Sequence, residues 1–197
     1  MKEFWNERYA KEEFIYGTEP NEFFRDVLAV LPIGKIILPC DGEGRNAVYA
    51  AKKGWEVNAF DFSPSAKEKA RALAKQEMVY PVFEVADMRE KDFKEDSADV
   101  VALIYAHFPA ELRKIAHQKA VKWLKPGGKL ILEAFNPKQM ENASGGPKNI
   151  DMLYTEEMLS KDFEDLNIEK LEVLEINLSE GNFHQGKADV IRLIAEK

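Results

Sequence analysis

Two glycines and an acid have the spacing best suited to binding a small molecule. Gly42 and Gly44 lie in the turn that follows the apolar run 36–39, and Asp61 ends a second predicted strand. Glycines in such a turn let the backbone approach a ligand, and a carboxylate accepts two hydrogen bonds from a ribose diol. Strand, glycine turn, helix, strand and acid in this order predict a site for a ribose-bearing cofactor.

The turn alone leaves the cofactor open. The pattern Gly42-x-Gly44-x-x-Ala47, with Asp61 at about the expected 20 residues, also matches the dinucleotide fingerprint. A nicotinamide-dependent oxidoreductase is therefore one interpretation. S-adenosylmethionine (SAM) presents the same ribose diol without a pyrophosphate and is the other.

Three other segments favour SAM. Residues 180–187 have turn composition between two apolar segments and predict a closing antiparallel hairpin, whereas a dinucleotide fold has two βαβαβ halves. Asp87 follows the third predicted strand, where we expect it to accept from an adenine amino group while Met88 packs on the ring. The third segment, Trp-Leu-Lys-Pro-Gly-Gly-Lys-Leu at 123–130, leads into the fifth predicted strand.

The elements that position these residues alternate from residue 35 onward. Apolar runs such as 100–105 suit a parallel sheet covered by helices, and Ser63 with Pro64 suits a helix start. We therefore predict an α/β fold with a doubly wound, mostly parallel seven-stranded sheet and an antiparallel last strand. The predicted strands are 36–39, 55–61, 81–85, 99–105, 129–135, 170–179 and 188–196, and the helices after the first strand are 45–53, one from 63, 110–124 and 155–162.

The whole chain, 1–197, is predicted to form a single domain that begins with two helical segments separated by a turn at 16–21. The 45% apolar and 32% charged content is ordinary for a globular protein, and no apolar run approaches a membrane span. A net charge of −7 argues against general nucleic-acid binding. The single cysteine excludes an internal disulfide and a multi-cysteine zinc site, and a charged N-terminus is unlike a signal peptide. We expect a cytoplasmic location, no membrane or nucleic-acid partner, and no metal.

The sequence resembles the class I SAM-dependent methyltransferases over nearly its whole length. Leu-Lys-Pro-Gly-Gly at 124–128 is a strong signature of that superfamily, and Asp-Phe-Ser-Pro at 61–64 resembles its ribose-binding D-x-S. Phe-Trp-Asn-Glu-Arg-Tyr at 4–9, with Tyr-Gly-Thr-Glu-Pro-Asn at 16–21, is similar to small methyltransferases related to tellurite-resistance and thiopurine methyltransferases. In that subgroup an N-terminal helical segment covers the cofactor pocket, so the resemblance implies that residues 1–33 form an N-terminal helical cover.

The resemblance implies a set of residues near the cofactor. It places Tyr9, Tyr16 and Gly17 near SAM. The first glycine of the family loop falls on Cys40 here, and Asp41 is our candidate for the contact to the cofactor's amino group. The predicted cofactor-binding set is Tyr9, Tyr16, Gly17, Cys40, Asp41, Gly42, Gly44, Arg45, Asn46, Asp61, Phe62, Asp87, Met88 and Tyr105, with Arg45 and Asn46 near the methionine carboxylate.

Two histidines are candidates for the substrate side. His107 follows the fourth predicted strand, at the carboxyl edge where ligands bind, and His184 lies in the predicted hairpin loop. The third, His117, is expected on the exposed surface of its helix. No Asn/Asp-Pro-Pro-Tyr motif follows the fourth strand, so a DNA amino-methyltransferase is rejected.

The predicted reaction is in-line attack of a small-molecule heteroatom, such as a thiol or an oxyanion, on the SAM methyl group. S-adenosylhomocysteine (SAH) is the expected product, and positioning supplies most of the rate because the sulfonium already activates the methyl. A nicotinamide-dependent oxidoreductase and a non-catalytic SAM-binding protein remain as alternatives. We expect loop 136–152, the N-terminal helices and the hairpin loop to cover the substrate.

Overall fold

A twisted seven-stranded sheet organises the part of the chain that the computed structural model describes, residues 2–197. Its strand order is β3-β2-β1-β4-β5-β7-β6; the first five are parallel, and β7 runs antiparallel to both β5 and β6. Helices cover both faces. This confirms the predicted doubly wound sheet with its antiparallel closing strand.

Most elements lie within one or two residues of their predicted bounds, but β5 begins at Leu124, five residues before the predicted start, and the last two strands are longer than predicted. Within residues 2–197, no helix is long and apolar enough to cross a membrane. The strands are β1 Lys35–Pro39, β2 Glu56–Asp61, β3 Val82–Val85, β4 Ala98–Ile104, β5 Leu124–Phe135, β6 Asn167–Glu180 and β7 His184–Glu196, and the helices are α1 Lys2–Tyr9, α2 Glu22–Leu28, α3 Arg45–Lys52, α4 Pro64–Gln76, α5 Ala110–Trp123 and α6 Glu156–Asp162, with short 3₁₀ helices at Pro137–Glu141 and Ile150–Met152.

The central strands are apolar because both faces of the sheet are covered. Val101 and Leu103 of β4 are fully buried, and they belong to the core cluster that also holds Trp123. On the opposite face, Phe24 and Trp55 belong to a second cluster. Burial on two sides removes the alternation of polar and apolar residues that a one-sided sheet shows.

Helix starts follow the capping chemistry of the sequence. Ser63 accepts a hydrogen bond from the Ala66 N–H at 3.2 Å, with Pro64 in the first turn, as predicted. Asn21 accepts from the Phe24 N–H at 2.9 Å and so caps α2. These bonds satisfy N–H groups that have no partner within the helix.

The closing hairpin is longer than the sequence pattern indicates. The predicted connection spanned 180–187, but the ladder continues to the pair Glu180↔His184 and leaves a three-residue loop. Polar residues beside the turn pair through their backbones, so composition underestimates strand length. His184 therefore lies on β7 and not in the loop.

His117 is fully buried, and the prediction that it is exposed was wrong. Its Nδ1 lies 2.8 Å from the Asp162 carboxylate, which also accepts from Arg113 Nε at 2.7 Å. Asp162 comes from α6, which packs against α5 and covers this face. Nothing in the local pattern of α5 indicates that covering helix.

Candidate active site

One cavity of about 800 Å³ opens at the carboxyl edge of the parallel strands, where α/β sheets bind ligands. It brings together residues from the turns after β1, β2, β3 and β4, from the N-terminal segment and from the closing hairpin. Every predicted site residue except Gly44 lines it: Tyr9, Tyr16, Gly17, Cys40, Asp41, Gly42, Arg45, Asn46, Asp61, Phe62, Asp87, Met88, Tyr105, His107 and His184.

The turn after β1 has a left-handed backbone at two positions that line the cavity. Cys40 has φ +56°, and Gly42 has the same value. Asp61, at the end of β2, accepts from the Gly42 N–H at 3.2 Å and from the Ser63 N–H at 2.9 Å. The carboxylate thus ties together the two turns that border the cavity.

Gly44 serves the turn from outside the cavity. It has φ +87°, and a Cβ there would lie 2.6 Å from the Cβ of Ala70 on α4. A glycine is therefore required at position 44, because the turn approaches α4 closely there. Gly44 faces this helix, whereas Gly42 lines the cavity. The periodicity of the sequence could not separate these two roles.

We expect Gly44→Ala to lower the free energy of unfolding by about 2–4 kcal/mol. The substitution combines left-handed backbone strain with an overpacked contact. Gly127→Ala is the matched control, because Gly127 has φ +78° with nothing within 4 Å of an added Cβ, so only about 1 kcal/mol is expected there. Denaturant unfolding of both variants measures the difference, and equal losses would contradict the packing role of Gly44.

Two carboxyl groups in the cavity resist ionisation. Burial raises the pKa of Asp61 to about 6 and that of Asp41 to about 7, from an ordinary 3.8. Hydrogen bonds from Ala47 N–H and Asn46 Nδ2, each 3.1 Å from Asp41, oppose this shift in part. Additional hydrogen-bond donors from a ligand would therefore stabilise the charged forms of both acids and lower their pKa values.

The N-terminal segment lies against the glycine turn. Tyr9 stacks on Trp5 with ring centroids 5.5 Å apart, and a Cβ on Gly42 would lie 2.8 Å from the Tyr9 hydroxyl. Buried Glu43 accepts from the Ile15 N–H at 2.8 Å and pairs with Lys69 at the same distance. The segment before α2 is thus fastened to the turn that it covers.

The closing hairpin fastens to the same segment from the other side. Asn182 N–H donates to the Ile15 carbonyl at 3.1 Å. A Cβ on Gly181 would lie 2.5 Å from the Gly17 nitrogen, so the two backbones touch. The Arg8 guanidinium lies over the Phe183 ring at 4.8 Å. Together these contacts form a wall of the cavity from segments far apart in sequence.

A buried polar network joins this wall to the sheet. Glu180 accepts from Arg45 at 2.9 Å and from Asn21 Nδ2 at 3.2 Å, and it lies 3.1 Å from His184 Nδ1. Asn21 also donates to the fully buried Glu133 at 2.6 Å. These partners lower the pKa of Glu180 to about 2, so its carboxylate is charged at neutral pH.

His107 has both ring nitrogens in hydrogen bonds. Nδ1 lies 2.7 Å from the Met152 carbonyl, and Nε2 accepts from the Phe135 N–H at 3.1 Å. Burial lowers its pKa to about 4, so the ring is neutral. In this arrangement the ring positions the loop around 152 and has no nitrogen free for a substrate.

Acids and aromatic rings occupy different parts of the cavity lining. The acids Asp41, Glu43, Asp61 and Asp87 follow the first three strands or lie at their ends, and no acid lines the side formed by residues 104–185. Several lining residues on the side formed by residues 104–185 were not predicted individually. Only their position at the end of β5, in loop 136–152 or in the closing hairpin could have indicated them. They include Phe135, Gly145, Lys148, Met152, Phe183 and Gln185.

The strand order, the antiparallel hairpin and the position of the cavity are those of the class I methyltransferase fold. Residues 39–128 match the model of a family described as a methyltransferase domain. No curated protein sequence matches the chain. Residues 39–128 are accordingly a methyltransferase domain, and this match, with the fold, favours SAM over a dinucleotide at the glycine turn.

Solved structures share this fold at low sequence identity. A protein that converts a disulfide bond into a thioacetal group during echinomycin biosynthesis superimposes with a TM-score of 0.80 at 18% identity, covering 100% of this chain and 92% of that one. A SAM-dependent methyltransferase of Methanosarcina mazei gives 0.72 at 19% identity over 91% and 98% of the two chains. TehB of Haemophilus influenzae gives 0.72 at 14% identity over 100% and 66%.

Proposed function

We propose that this protein transfers the methyl group of SAM to the heteroatom of a small-molecule acceptor. The observation that carries the proposal is the convergence of Gly42, Asp61 and Asp87 on one cavity. A volume of about 800 Å³ lies within the range of small-molecule sites and leaves room for an acceptor beside the cofactor. SAM supplies an electrophilic methyl group on a sulfonium when it is bound.

The cavity residues suit the cofactor in type and charge. Asp61 is proposed to accept from the ribose hydroxyls, Asp41 from the amino group, and Asp87 from the adenine, with Met88 and Phe62 against the ring. The raised pKa values of Asp41 and Asp61 fit this assignment, because each acid gains from a bound donor. The remaining predicted residues, among them Tyr9, Tyr16, Gly17 and Tyr105, would enclose the cofactor from the opposite side.

The acceptor is proposed to lie among aromatic side chains, between Phe135, Phe183 and His184. Residues 1–33 would serve as a cover of one continuous domain, and the acceptor would enter beside loop 136–152. The net charge of −7 supports a small molecule over a nucleic acid, and we place the protein in the cytoplasm.

Calorimetry with SAH tests the cofactor assignment. We expect one SAH to bind per chain and NADH to give no binding under the same conditions. Absence of SAH binding by the native protein would overturn the proposal. Release of SAH in the presence of a thiol or phenol acceptor, detected by mass spectrometry, distinguishes an enzyme from a protein that only binds SAM.

We expect the affinity for SAH to increase as the pH rises from 5 to 8. Asp61 and Asp41 are protonated below their raised pKa values of about 6 and 7, and they accept hydrogen bonds best when charged. Without ligand, the raised pKa values mean that the folded protein binds these two protons more tightly than the unfolded chain does. The resulting contribution to the free energy of unfolding is fully present below pH 3.8 and is lost as the pH rises through 6 to 7.

The gain in affinity is limited to roughly tenfold per pH unit for each proton released. Calorimetry in buffers of different ionisation enthalpy measures that release directly. Asp41→Asn, which cannot titrate, should flatten the upper part of the profile. Affinity that is constant or falls across this range would contradict the assignment of these two acids.

A further inference from the structure

Glu180 and His184 face each other as the last pair of the β6–β7 ladder, beside the cavity. Their side chains meet at 3.1 Å, Oε2 to Nδ1. A carboxylate can only accept hydrogen bonds, and Arg45 holds this one in its charged form at 2.9 Å. The proton of a neutral His184 is therefore on Nδ1, which leaves the lone pair on Nε2.

The second nitrogen of His184 is directed to the cavity. Nε2 forms no hydrogen bond to any of residues 2–197, and it is not fully buried. The atom is therefore accessible from the cavity. A Cβ on Gly145 would lie 3.0 Å from it, so the glycine backbone packs beside this nitrogen and a side chain at position 145 would crowd it. Rings of Tyr16 and Tyr105 hold the imidazole at centroid distances of 4.5 Å and 4.7 Å.

No other base of suitable type is free on this side of the cavity lining. Both nitrogens of His107 are occupied, and the acids of the lining belong to the other side. Lys148 donates to the Asn142 carbonyl at 3.2 Å and lies on an exposed loop. His184 alone combines a fixed tautomer, an accessible lone pair and an apolar surrounding.

We propose, on the basis of the methyl-transfer function above, that His184 accepts the proton of the acceptor and that Glu180 positions it for this step. The acceptor would be a weakly acidic thiol or phenol on an apolar body. A neutral imidazole with a lowered pKa removes the proton of a thiol or phenol more readily than that of a less acidic alcohol, whereas an anion that is already ionised has no proton to remove. The aromatic lining formed by Phe135 and Phe183 fits an apolar body.

The step balances in atoms and charge. The acceptor heteroatom bonds to the methyl carbon, its proton goes to Nε2, and the electron pair of the broken carbon–sulfur bond stays on sulfur. His184 becomes an imidazolium paired with the Glu180 carboxylate, and the positive charge of the sulfonium has moved to the ring. Loss of that proton to water restores the base.

Several groups set the pKa of His184. Burial and the nearby Arg45 lower it, while Glu180 and Glu133 raise it, and the net direction is downward from 6.5. The neutral rings of Tyr16, Tyr105 and His107 complete the surroundings. The base is therefore in its active form at neutral pH, and activity with a protonated acceptor should fall as the pH drops through this pKa.

Nuclear magnetic resonance of the ¹⁵N-histidine-labelled protein with SAH tests the tautomer without any acceptor. The chain has three histidines, so loss of one signal in His184→Gln assigns it. We expect a neutral ring at pH 7 with the proton on Nδ1, and a lower pKa in Glu180→Gln, because the carboxamide accepts the same bond without its charge. A ring protonated at Nε2 at pH 7 would overturn the proposal.

Kinetics with two kinds of acceptor test the proton transfer. Benzyl mercaptan and 2-naphthol carry their protons at pH 7, whereas 4-nitrothiophenol is ionised. We expect His184→Gln to lower kcat about 10²- to 10⁴-fold for the protonated acceptors and less than about tenfold for the thiolate. Exposed Lys187→Gln, on the same strand, is the control and should leave all rates and the pH profile unchanged.

The outcomes separate this inference from the methyl-transfer function. Equal losses of kcat with all acceptors, an unchanged pH profile in His184→Gln, or no methylation of either protonated acceptor would overturn the role of His184. In each of these cases SAH would still bind. Failure of SAH to bind the native protein would instead overturn the cofactor assignment itself.

Discussion

Asp61→Ala is expected to weaken the binding of SAH about 10- to 100-fold. The alanine removes the carboxylate that would accept from the ribose hydroxyls, and hydrogen bonds to a charged group contribute about 1.5–3 kcal/mol. Isothermal titration calorimetry at pH 8, above the raised pKa of about 6, measures the loss with the acid fully charged.

Two controls separate ligand contact from folding. Asp61 also accepts from Gly42 and Ser63 N–H groups, so its removal lowers the free energy of unfolding as well. Asp61→Asn retains one acceptor and should lose less affinity, while Asp26→Asn on the exposed surface of α2 should lose none. Unchanged affinity in a folded Asp61→Ala protein would contradict the ribose assignment.

Arg45→Met is expected to lower the free energy of unfolding by about 3 kcal/mol. The pair Arg45–Glu180 has side chains only 8% and 11% exposed, and removing one partner of a buried pair leaves the other charge uncompensated. Asn21 and His184 still contact Glu180, which keeps the expected loss at the lower end of the range for buried pairs.

A double-mutant cycle measures the pairing directly. The variant Arg45→Met/Glu180→Leu should recover about 2 kcal/mol relative to the sum of the single losses, because neither charge is then left alone. The exposed pair Lys187–Glu175, at 2.7 Å with side chains 60% and 59% exposed, is the matched control and should couple by less than about 1 kcal/mol. Additive losses at Arg45 and Glu180 would show that the network does not fasten the hairpin.

Local chemistry explains why much of the fold could be predicted. The apolar runs of β1 and β4 and the helix start at Ser63 depend on residues within a few positions of one another. The glycine turn after β1 and the acid at the end of β2 also carry their own short-range pattern. At Gly44 the local pattern predicted a turn, but it did not indicate that the close contact with Ala70 of α4 requires the glycine.

The sequence by itself therefore determined the order of strands and helices, the sheet class and the acids expected to bind the cofactor. Only the tertiary structure decided which base is free, since His107 is occupied by Met152 and Phe135 while His184 is left open. It also buried His117 against Asp162 and joined Arg45 to Glu180, 135 positions apart. Such contacts depend on where separate elements come to lie in space, and no spacing within one element carries that information.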